Sequence, residues 1–357
     1  MNLFYAAFIP GLQNIIADVI KERLTDVKIH RLLDGAVLFE TSAGYDTLNF
    51  FCFNNIFAVI SVMDHKDCGI IPACDFRSTD GGNPKTALEK HIKSTVKNNA
   101  AGEVICKNSK KIHTFRIVVS AENIPSAIDE KLRTDAENYI SRSSGLKVNR
   151  SLPDTEFWFL FRNEKEQNSF SVFMKRLTLR PSWEKTLHKG ELPPPLAWTL
   201  CRLARLVHSD TVLDPFCGYG SIPDAALKHF HINKFYACDN DKESALYTAE
   251  RFKKRKKGDF VFYDGDFSKL PLLIGEKSVD AVITDPPWGE YCEINKGLFY
   301  KEMFGVFGKL LKESGRAVLL CANNDDFLNE VPAFFTLESR IPILLSGRKA
   351  VIITMYV

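Results

Sequence analysis

Four consecutive residues, Asp285, Pro286, Pro287 and Trp288, combine an acid, two prolines and a large aromatic ring. They follow an apolar run that is typical of a buried strand, so they would lie at its carboxyl end. Proline lacks a backbone N–H, so the pair ends strand pairing and leaves the Pro286 carbonyl without a competing donor. The Asp285 carboxylate and that carbonyl could accept the two N–H groups of a base amine, while Trp288 could stack on the base. The stretch therefore predicts a site for a flat molecule that carries an amine.

A glycine turn follows an earlier predicted strand, in the stretch LDPFCGYGS. Gly218 and Gly220 have no Cβ, so a ligand could approach the backbone closely there. Backbone amides at the start of the following helix could bind a carboxylate or a phosphate. A dinucleotide-binding fingerprint would continue to a third glycine, which this stretch lacks. The alternative is an ordinary strand-to-helix turn, and the preceding Asp214-Pro215 favours a ligand site.

Two further predicted strands also end in acids. Asp239 lies about twenty residues after the glycine turn, where an acid suits the hydroxyl groups of a ribose; capping the next helix is the alternative role. In the stretch YDGDF, either Asp264 or Asp266 could accept the amine of an adenine, and the register favours Asp266. The four motifs together predict one site only if the fold brings these strand ends together.

Strands and helices alternate beyond the Pro193-Pro194-Pro195 hinge, beginning with a helix predicted over Leu196–Val207. Such alternation predicts a mostly parallel sheet with helices on both faces. Ligands of these sheets bind at the carboxyl ends of the strands, near the switch in strand order. The predicted strands are TVLD, KFYACD, DFVFYD, AVIT and RAVLLCA, followed by two terminal strands.

The preceding half of the chain follows a different pattern. Residues 1–62 predict the order strand, helix, strand, strand, helix, strand of a small ferredoxin-like sandwich, with a hairpin at Asp34-Gly35. Residues 63–180 predict a second α/β unit that holds 20 Lys or Arg against 15 Asp or Glu, an excess compatible with a phosphate-backbone ligand. We therefore expect these two domains, a linker over 181–195 and a third domain over 196–357.

The strand-end motifs, in this order, resemble class I S-adenosylmethionine-dependent methyltransferases. They are similar in particular to the amino-methylating branch, whose fourth motif is (D/N)-P-P-(Y/F/W). The resemblance implies that S-adenosylmethionine is the cofactor, with its ribose on Asp239 and its adenine near Asp266. It implies these cofactor-binding residues: Asp214, Phe216, Gly218, Gly220, Asp239, Asp266 and Asp285. It implies these catalytic residues: Asp285, Pro286, Pro287 and Trp288.

Nearly the whole chain resembles the THUMP-containing RNA methyltransferases, in PGLQNIIADVIKERL, in Phe115–Glu164 and in HKGELPPPLAWTLCRLARL. The implied fold class is α/β: a Rossmann-like class I methyltransferase domain preceded by ferredoxin-like and THUMP α+β domains. The implied activity is a tRNA guanine-N2-methyltransferase that makes N2-methylguanosine in the acceptor-stem region, with the tRNA held by the THUMP domain. Some relatives also need a small activating zinc-binding subunit.

The sequence departs from that family at three places. The turn is Gly-Tyr-Gly instead of Gly-Thr-Gly or Gly-Ser-Gly, the acid that often follows it is at best Asp224, and Glu290 and Tyr291 stand where a basic residue is common. Two other functions therefore stay open. One is an N-methyltransferase for an adenine or cytosine amine in RNA or DNA, and the other is an RNA-binding module with a degenerate catalytic domain.

The composition bears on the cellular location of the protein and on the ligands that it could bind. Nine cysteines without a CxxC pair predict reduced thiols in a cytosolic or nuclear protein and no metal site. Of the two locations, we expect the cytoplasm. No apolar stretch is long enough to span a membrane, and we expect no signal peptide. The run Arg251–Lys257 has six basic residues in seven; it could contact phosphate or form a solvated helix end. Lys107, Lys110, Lys111 and Arg116 form a second basic cluster with the same two interpretations.

Overall fold

The computed structural model describes residues 1–357 except 45–47, 49, 66–83, 98–111, 164–168, 179–186, 255–258, 289–295 and 323–326. It divides into two compact units. The first contains Met1–Ala7 and Gln13–Pro181, and the second contains Phe8–Leu12 and Ser182–Val357. In the part of the chain that is described, no helix has the length and apolar character needed to cross a membrane.

The first unit is built around one nine-stranded sheet with the strand order β2-β3-β1-β4-β9-β8-β5-β6, and β7 pairs with β5. Its elements are β1 (Asn2–Ala7), α1 (Gln13–Arg23), β2 (Lys28–Leu33), β3 (Ala36–Thr41), β4 (Asn55–His65), α2 (Pro84–Lys97), β5 (Thr114–Ala121), β6 (Ile124–Pro125), α3 (Glu130–Ser144), β7 (Lys147–Val148), β8 (Thr155–Arg162) and β9 (Ser169–Arg176).

The predicted hairpin is present, because Leu33 pairs with Ala36 across the Asp34-Gly35 turn. Strand β4 extends to His65, past the boundary predicted after residue 62, and pairs with β9. The second helix predicted before β4 falls partly on residues outside the described ranges, and the described residues 50–54 form turns rather than a helix. The domain boundaries after residues 62, 180 and 195 stay predictions.

Aromatic residues of the sheet share one buried core with residues of α2 and α3 in the first unit. Phe159 and Phe173 stack with ring centroids 4.2 Å apart, and Phe115, Phe157 and Phe173 are fully buried. Helix α3 begins after Asp129, whose side chain accepts from the Leu132 N–H, and ends at Gly145 in the left-handed region, as predicted. Lys107, Lys110 and Lys111 of the predicted basic cluster lie outside the described residues, and Arg116 forms an ion pair with Glu156.

The second unit holds a seven-stranded sheet with the order β12-β11-β10-β13-β14-β16-β15. Strand β16 is antiparallel to its neighbours, and the first five strands are parallel. Its elements are α4 (Pro194–Leu203), β10 (Thr211–Asp214), α5 (Ser221–His229), β11 (Lys234–Asp239), α6 (Lys242–Phe252), β12 (Phe260–Asp264), α7 (Leu270–Ile274), β13 (Val279–Thr284), α8 (Lys296–Leu310), β14 (Leu311–Ala322), β15 (Thr336–Leu345) and β16 (Arg348–Tyr356).

The strand order reverses between β10 and β13. The chain runs outward from β10 to β12 and then returns to the other side of β10, where Leu213 pairs with Val282. This switch places the carboxyl ends of β10 and β13 side by side, which is where ligands of such sheets bind. The predicted Rossmann-like architecture is confirmed.

The three prolines do not form a separate hinge. Pro193 caps helix α4, and Pro194 and Pro195 are its first residues, because proline needs no N–H partner in a first helical turn. The helix ends at Leu203 rather than at the predicted Val207, and Arg205 follows with a φ of 50°.

The segment Phe8–Leu12 belongs to the second unit although it lies near the start of the chain. The Pro10 carbonyl accepts from the Leu344 N–H of β15 at 3.1 Å. Gly11 has a φ of 98°, and a Cβ there would lie 2.1 Å from the Pro342 oxygen. Only glycine fits this approach without displacing the strand.

Candidate active site

The ends of β10 and β13 are joined by a buried hydrogen bond. The Thr284 hydroxyl donates to Asp214 Oδ1 at 2.6 Å, and the Phe216 N–H donates to the same oxygen at 3.2 Å. Asp214 is 1% exposed, and its Oδ2 atom is buried without a hydrogen-bond partner among the described residues. The two predicted motifs, the glycine turn and the Asp285 stretch, therefore start from one joined pair of strands.

One side of the glycine turn borders open space. Gly218 has a φ of 49°, and a Cβ built on it would meet no atom within 4 Å. Its N–H donates to Asp239 Oδ2 at 2.7 Å, and its carbonyl accepts from the Thr248 hydroxyl at 2.7 Å. Gly220 has a φ of 83°, and its Cβ would lie 2.8 Å from the Phe252 ring. The two glycines thus have different roles: open space borders Gly218, and Gly220 lies against helix α6.

Asp239 faces the glycine turn. Its Oδ1 atom accepts from the Asp241 N–H at 2.9 Å and from the Ser244 hydroxyl at 3.3 Å. The side chain that caps α6 is Asp241, which accepts from the Ser244 N–H. Asp239 is therefore not the helix cap that was the alternative to its predicted ribose role. Burial raises its pKa above the usual range.

Asp266 is exposed and caps a short 3-10 helix over Phe267–Lys269, where its Oδ1 atom accepts from the Ser268 N–H at 2.8 Å. Asp264 is also exposed at the end of β12. The structure thus gives Asp266 a local capping role, and its contact with an adenine stays a prediction.

Three aromatic rings that follow different strands pack together beside the turn. The Phe216 and Phe267 centroids are 4.9 Å apart, and Phe299 of α8 lies 5.5 Å and 5.7 Å from them. The sequence pattern indicated Phe216 only. Phe267 directly follows Asp266, which is a signal that could have found it, whereas the position of Phe299 depends on helix α8.

Asp285 forms a hydrogen bond that the sequence did not predict. The Trp288 indole N–H donates to Asp285 Oδ1 at 2.9 Å and approaches the Leu320 carbonyl of β14 at 3.3 Å. Both residues are partly buried. The indole is therefore fixed by its edge, and stacking of a base on its face stays a prediction. Pro286 is buried and Pro287 is partly buried. Gly289, Glu290 and Tyr291 lie outside the described residues.

The two acids at the joined strand ends hold protons more tightly than usual. Burial raises the pKa of Asp214 to about 7, against the lowering effect of the Thr284 and Phe216 hydrogen bonds. Burial also raises the pKa of Asp285 to about 8, the Trp288 hydrogen bond lowers it, and the charge of Asp214 raises it further. Near neutral pH, both acids are therefore partly protonated.

A second layer of side chains holds the turn from outside. Arg251 Nη1 donates to the Tyr219 carbonyl at 2.8 Å and to Glu191 Oε1 at 3.0 Å. Glu191 also accepts from the Ser221 hydroxyl and from the His188 N–H, and the His188 ring stacks on Tyr219 at 4.1 Å. Arg251, the first residue of the predicted basic run, is thus engaged within the unit. Residues 255–257 of that run lie outside the described residues.

The strand order and the joined strand ends define a Rossmann-like α/β domain. Residues 181–338 match the family model UPF0020, described as RMKL-like, methyltransferase domain. The fold is similar to the crystal structure of TrmN from Thermus thermophilus, with a TM-score of 0.74 and 19% identity, over 100% of this chain and 99% of that chain.

Curated relatives specify the family. The chain is 31% identical over 228 residues to the tRNA (guanine(6)-N2)-methyltransferase of Thermus thermophilus, covering 63% of this chain and 67% of that protein. It is 31% identical over 197 residues to the tRNA (guanine(10)-N2)-dimethyltransferase of Methanocaldococcus jannaschii, covering 51% and 54%. It is 27% identical over 271 residues to the U6 snRNA (guanine-N(2))-methyltransferase THUMPD2 of Bos taurus, covering 74% and 51%.

This chain belongs to the family of the guanine-N2 RNA methyltransferases. It spans about half the length of the Methanocaldococcus jannaschii and Bos taurus relatives that it matches.

Proposed function

We propose that this protein transfers a methyl group from S-adenosylmethionine to the exocyclic N2 amine of a guanosine in tRNA. The observation that carries the proposal is the joined end of β10 and β13, which brings the glycine turn and Asp285 to one edge of the sheet. The names of the three relatives support the choice of guanine N2 as the methylated atom.

The residues at this edge fit the cofactor. The open space beside Gly218 admits a ligand to the turn backbone, and Asp239 lies against that turn at the end of the neighbouring strand. The buried Asp214 Oδ2 atom has no donor among the described residues, so a ligand that supplies a donor or a positive charge would satisfy it. We assign cofactor binding to Asp214, Phe216, Gly218, Gly220, Asp239 and Asp285, with Asp266 near the adenine.

When bound, the cofactor supplies an activated methyl group, so the protein contributes mainly alignment and exclusion of water. Asp285 Oδ1 holds the Trp288 indole, and the carboxylate as a whole accepts an N–H of the target amine. The Pro286 carbonyl accepts the second N–H. This pair orients the amine nitrogen toward the methyl group, and Asp285 receives the proton that the amine releases or passes it to water.

The first unit is the proposed RNA-binding part. We assign a THUMP domain to residues 63–180 and propose that it binds tRNA and positions the acceptor-stem region. A base inside a paired region must leave the stack before its amine can reach Asp285. We keep the cytoplasm as the proposed location and a small zinc-binding subunit as a proposed partner. Co-purification of such a subunit with the tagged protein tests the second point.

Labelled methyl transfer to an unmodified tRNA pool tests the proposed function. We expect N2-methylguanosine on nucleoside analysis, and no label when the transcripts contain inosine in place of guanosine, because inosine lacks the 2-amino group. Label that persists on the inosine transcripts would assign the activity to an adenine or cytosine amine. Transfer to U6 snRNA transcripts but not to tRNA would favour the snRNA substrate of the Bos taurus relative.

An active-site variant completes this test. Asp285→Ala should abolish methyl transfer and leave tRNA binding intact. The matched control is Asp259→Ala, which removes an exposed acid at the start of β12, away from the strand ends. Absence of transfer to any RNA by the unaltered protein, with cofactor bound, would support an RNA-binding module with a degenerate catalytic domain.

A further inference from the structure

Three carboxylates lie at the carboxyl ends of β10, β11 and β13, and none of them has a basic partner among the described residues. Asp214 accepts hydrogen bonds from a hydroxyl and a backbone amide, and Asp239 accepts them from two backbone amides and a hydroxyl. Asp285 accepts a hydrogen bond from an indole. None of them forms an ion pair with a lysine, arginine or histidine in the described ranges. Among the described residues, protons are therefore what balances the negative charge at this edge until a cationic ligand arrives.

Among the three carboxylates, Asp214 has the least complete set of hydrogen bonds within the described residues. It is 1% exposed, and its Oδ2 atom is buried with no hydrogen-bond partner in the part of the chain that the structure describes. A buried carboxylate oxygen without a donor is unfavourable, so natural structures rarely keep one unless a ligand or water completes it. The arrangement is thus preorganised for a group that brings positive charge.

We propose that Asp214 and Asp285 form a charge-selective pair that favours the cationic methyl donor over its uncharged thioether product and couples donor binding to proton release. The proposal rests on the proposed function, because it takes S-adenosylmethionine as the donor. The donor carries one net positive charge through its sulfonium, whereas S-adenosylhomocysteine carries none. Methyl transfer therefore removes the charge that the pair attracts, which favours release of the product.

The groups that surround the pair support this direction. The negative charge of Asp239 on β11 raises the pKa of Asp214, and the negative charge of Asp214 raises the pKa of Asp285. Burial and the negative charge of these carboxylates raise the pKa of the Cys201, Cys217 and Cys321 thiols well above the usual value, so these thiols stay neutral.

The direction in which donor affinity changes with pH follows from the pKa values of Asp214 and Asp285. The pKa values of about 7 for Asp214 and about 8 for Asp285 mean that raising the pH across this range creates negative charge in the free site. A cation binds the ionised pair better than the protonated pair, so donor affinity rises with pH. Product affinity changes much less, because the thioether has no charge to interact with.

Calorimetric titration of the full chain, without RNA, tests the proposal. S-Adenosylmethionine binding near neutral pH should show different heats in phosphate and Tris, which have different ionisation enthalpies, in the direction of proton release. The affinity ratio of donor to product should rise at least tenfold between about pH 6 and about pH 9, since a pKa lowered by one unit corresponds to a tenfold gain. Sinefungin, which carries an amine in place of the sulfonium methyl, should follow the donor.

Two variants and a control test whether Asp214 and Asp285 cause the rise of the affinity ratio with pH. Asp214→Asn and Asp285→Asn should each reduce the rise of the affinity ratio to less than about threefold, and Asp259→Asn should leave it unchanged. Asparagine keeps the shape and one acceptor oxygen in both variants, and a thermal melt checks that they fold.

The outcomes separate this proposal from the proposed function. Binding of both ligands with a pH-independent affinity ratio would overturn the charge-selective pair and leave the methyltransferase proposal in place. The same holds for a pH dependence that persists in both asparagine variants. Failure of the unaltered protein to bind either ligand would overturn the proposed function, and this inference with it.

Discussion

At the scale of single residues, the Asp285–Trp288 hydrogen bond is the feature that the sequence pattern does not predict. The pattern identified both side chains because an acid, two prolines and an aromatic ring at a strand end are unusual. It could not indicate that the indole N–H turns inward to Asp285 Oδ1, since that orientation depends on β14, whose Leu320 carbonyl is the second acceptor. Because this hydrogen bond lowers the pKa of Asp285, Trp288 affects the protonation state of the predicted catalytic acid.

The pH profile of methyl transfer should reflect this acid. Burial raises the pKa of Asp285 to about 8, and only its ionised form accepts an amine N–H without a competing proton. We therefore expect kcat/KM for the donor to fall as the pH decreases below about 8 and to level off above it. Steady-state rates between about pH 6 and about pH 9 check this. A profile that is flat across this range would contradict the role of Asp285.

Trp288→Phe tests the hydrogen bond separately from the ring. The variant keeps an aromatic face but removes the donor, and a bond to a charged group contributes about 1.5–3 kcal/mol. The pKa of Asp285 should rise further by about one unit, so activity should drop roughly tenfold at neutral pH and recover at higher pH.

The matched control for this variant is Trp158→Phe, since the Trp158 indole donates to Glu156 in the first unit. Its pH profile should remain that of the unaltered protein. Equal loss of activity by Trp288→Phe at every pH would show that the indole acts by contact with the substrate instead.

At the scale of elements, the catalytic half of the fold follows closely from the sequence. The predicted strands TVLD and KFYACD have the observed bounds, because short apolar runs with acids at their ends leave little choice of register. Other features depend on tertiary contacts. Strand β4 continues past residue 62 because β9 pairs with it, and Phe299 reaches the turn only because α8 packs there. No local pattern carries such information.

The segment before α4 should set cofactor affinity through the Glu191–Arg251 pair. Arg251 joins Glu191 to the Tyr219 carbonyl, so it contacts the glycine turn through the backbone of residue 219. Arg251→Lys keeps the charge but loses the planar guanidinium, whose Nη1 atom makes both contacts and whose Nη2 atom pairs with Asp224 at 3.2 Å. Such a loss costs about 1–3 kcal/mol. We expect KM for the donor to rise roughly tenfold with kcat nearly unchanged, as measured by initial rates.

A double-mutant cycle and a neighbouring lysine control this prediction. Glu191→Gln and Arg251→Lys should combine to less than the sum of their separate effects, because both break the same contact. Lys253→Ala should change neither constant, since Lys253 is exposed and its partner in the described part of the chain is the exposed Glu250. Strict additivity would mean that the two residues do not act as a unit.

At the scale of the whole molecule, the second unit is not one continuous stretch of sequence. Residues Phe8–Leu12 belong to it, and their contact with β15 depends on Gly11. Gly11→Ala should lower the melting temperature by several degrees, because its Cβ would collide with the Pro342 oxygen in addition to the strain of a positive φ.

Gly190→Ala is the control for this substitution. It has a similar φ of 84°, but a Cβ there meets no atom within 4 Å, so it reports the backbone strain alone. Differential scanning calorimetry of both variants gives the comparison. Equal losses would show that the approach of residue 11 to β15 adds nothing to stability.

The position of these five residues matters for any attempt to dissect the gene. A fragment that begins at codon 182 would encode every strand of the second sheet, yet it would leave the outer edge of β15 with an unsatisfied amide at Leu344. Exposed strand edges recruit other chains, so such a fragment should precipitate where the intact polypeptide stays in solution. Supplying residues 8–12 as a synthetic peptide, or fusing them through a short tether, is the remedy that this topology suggests.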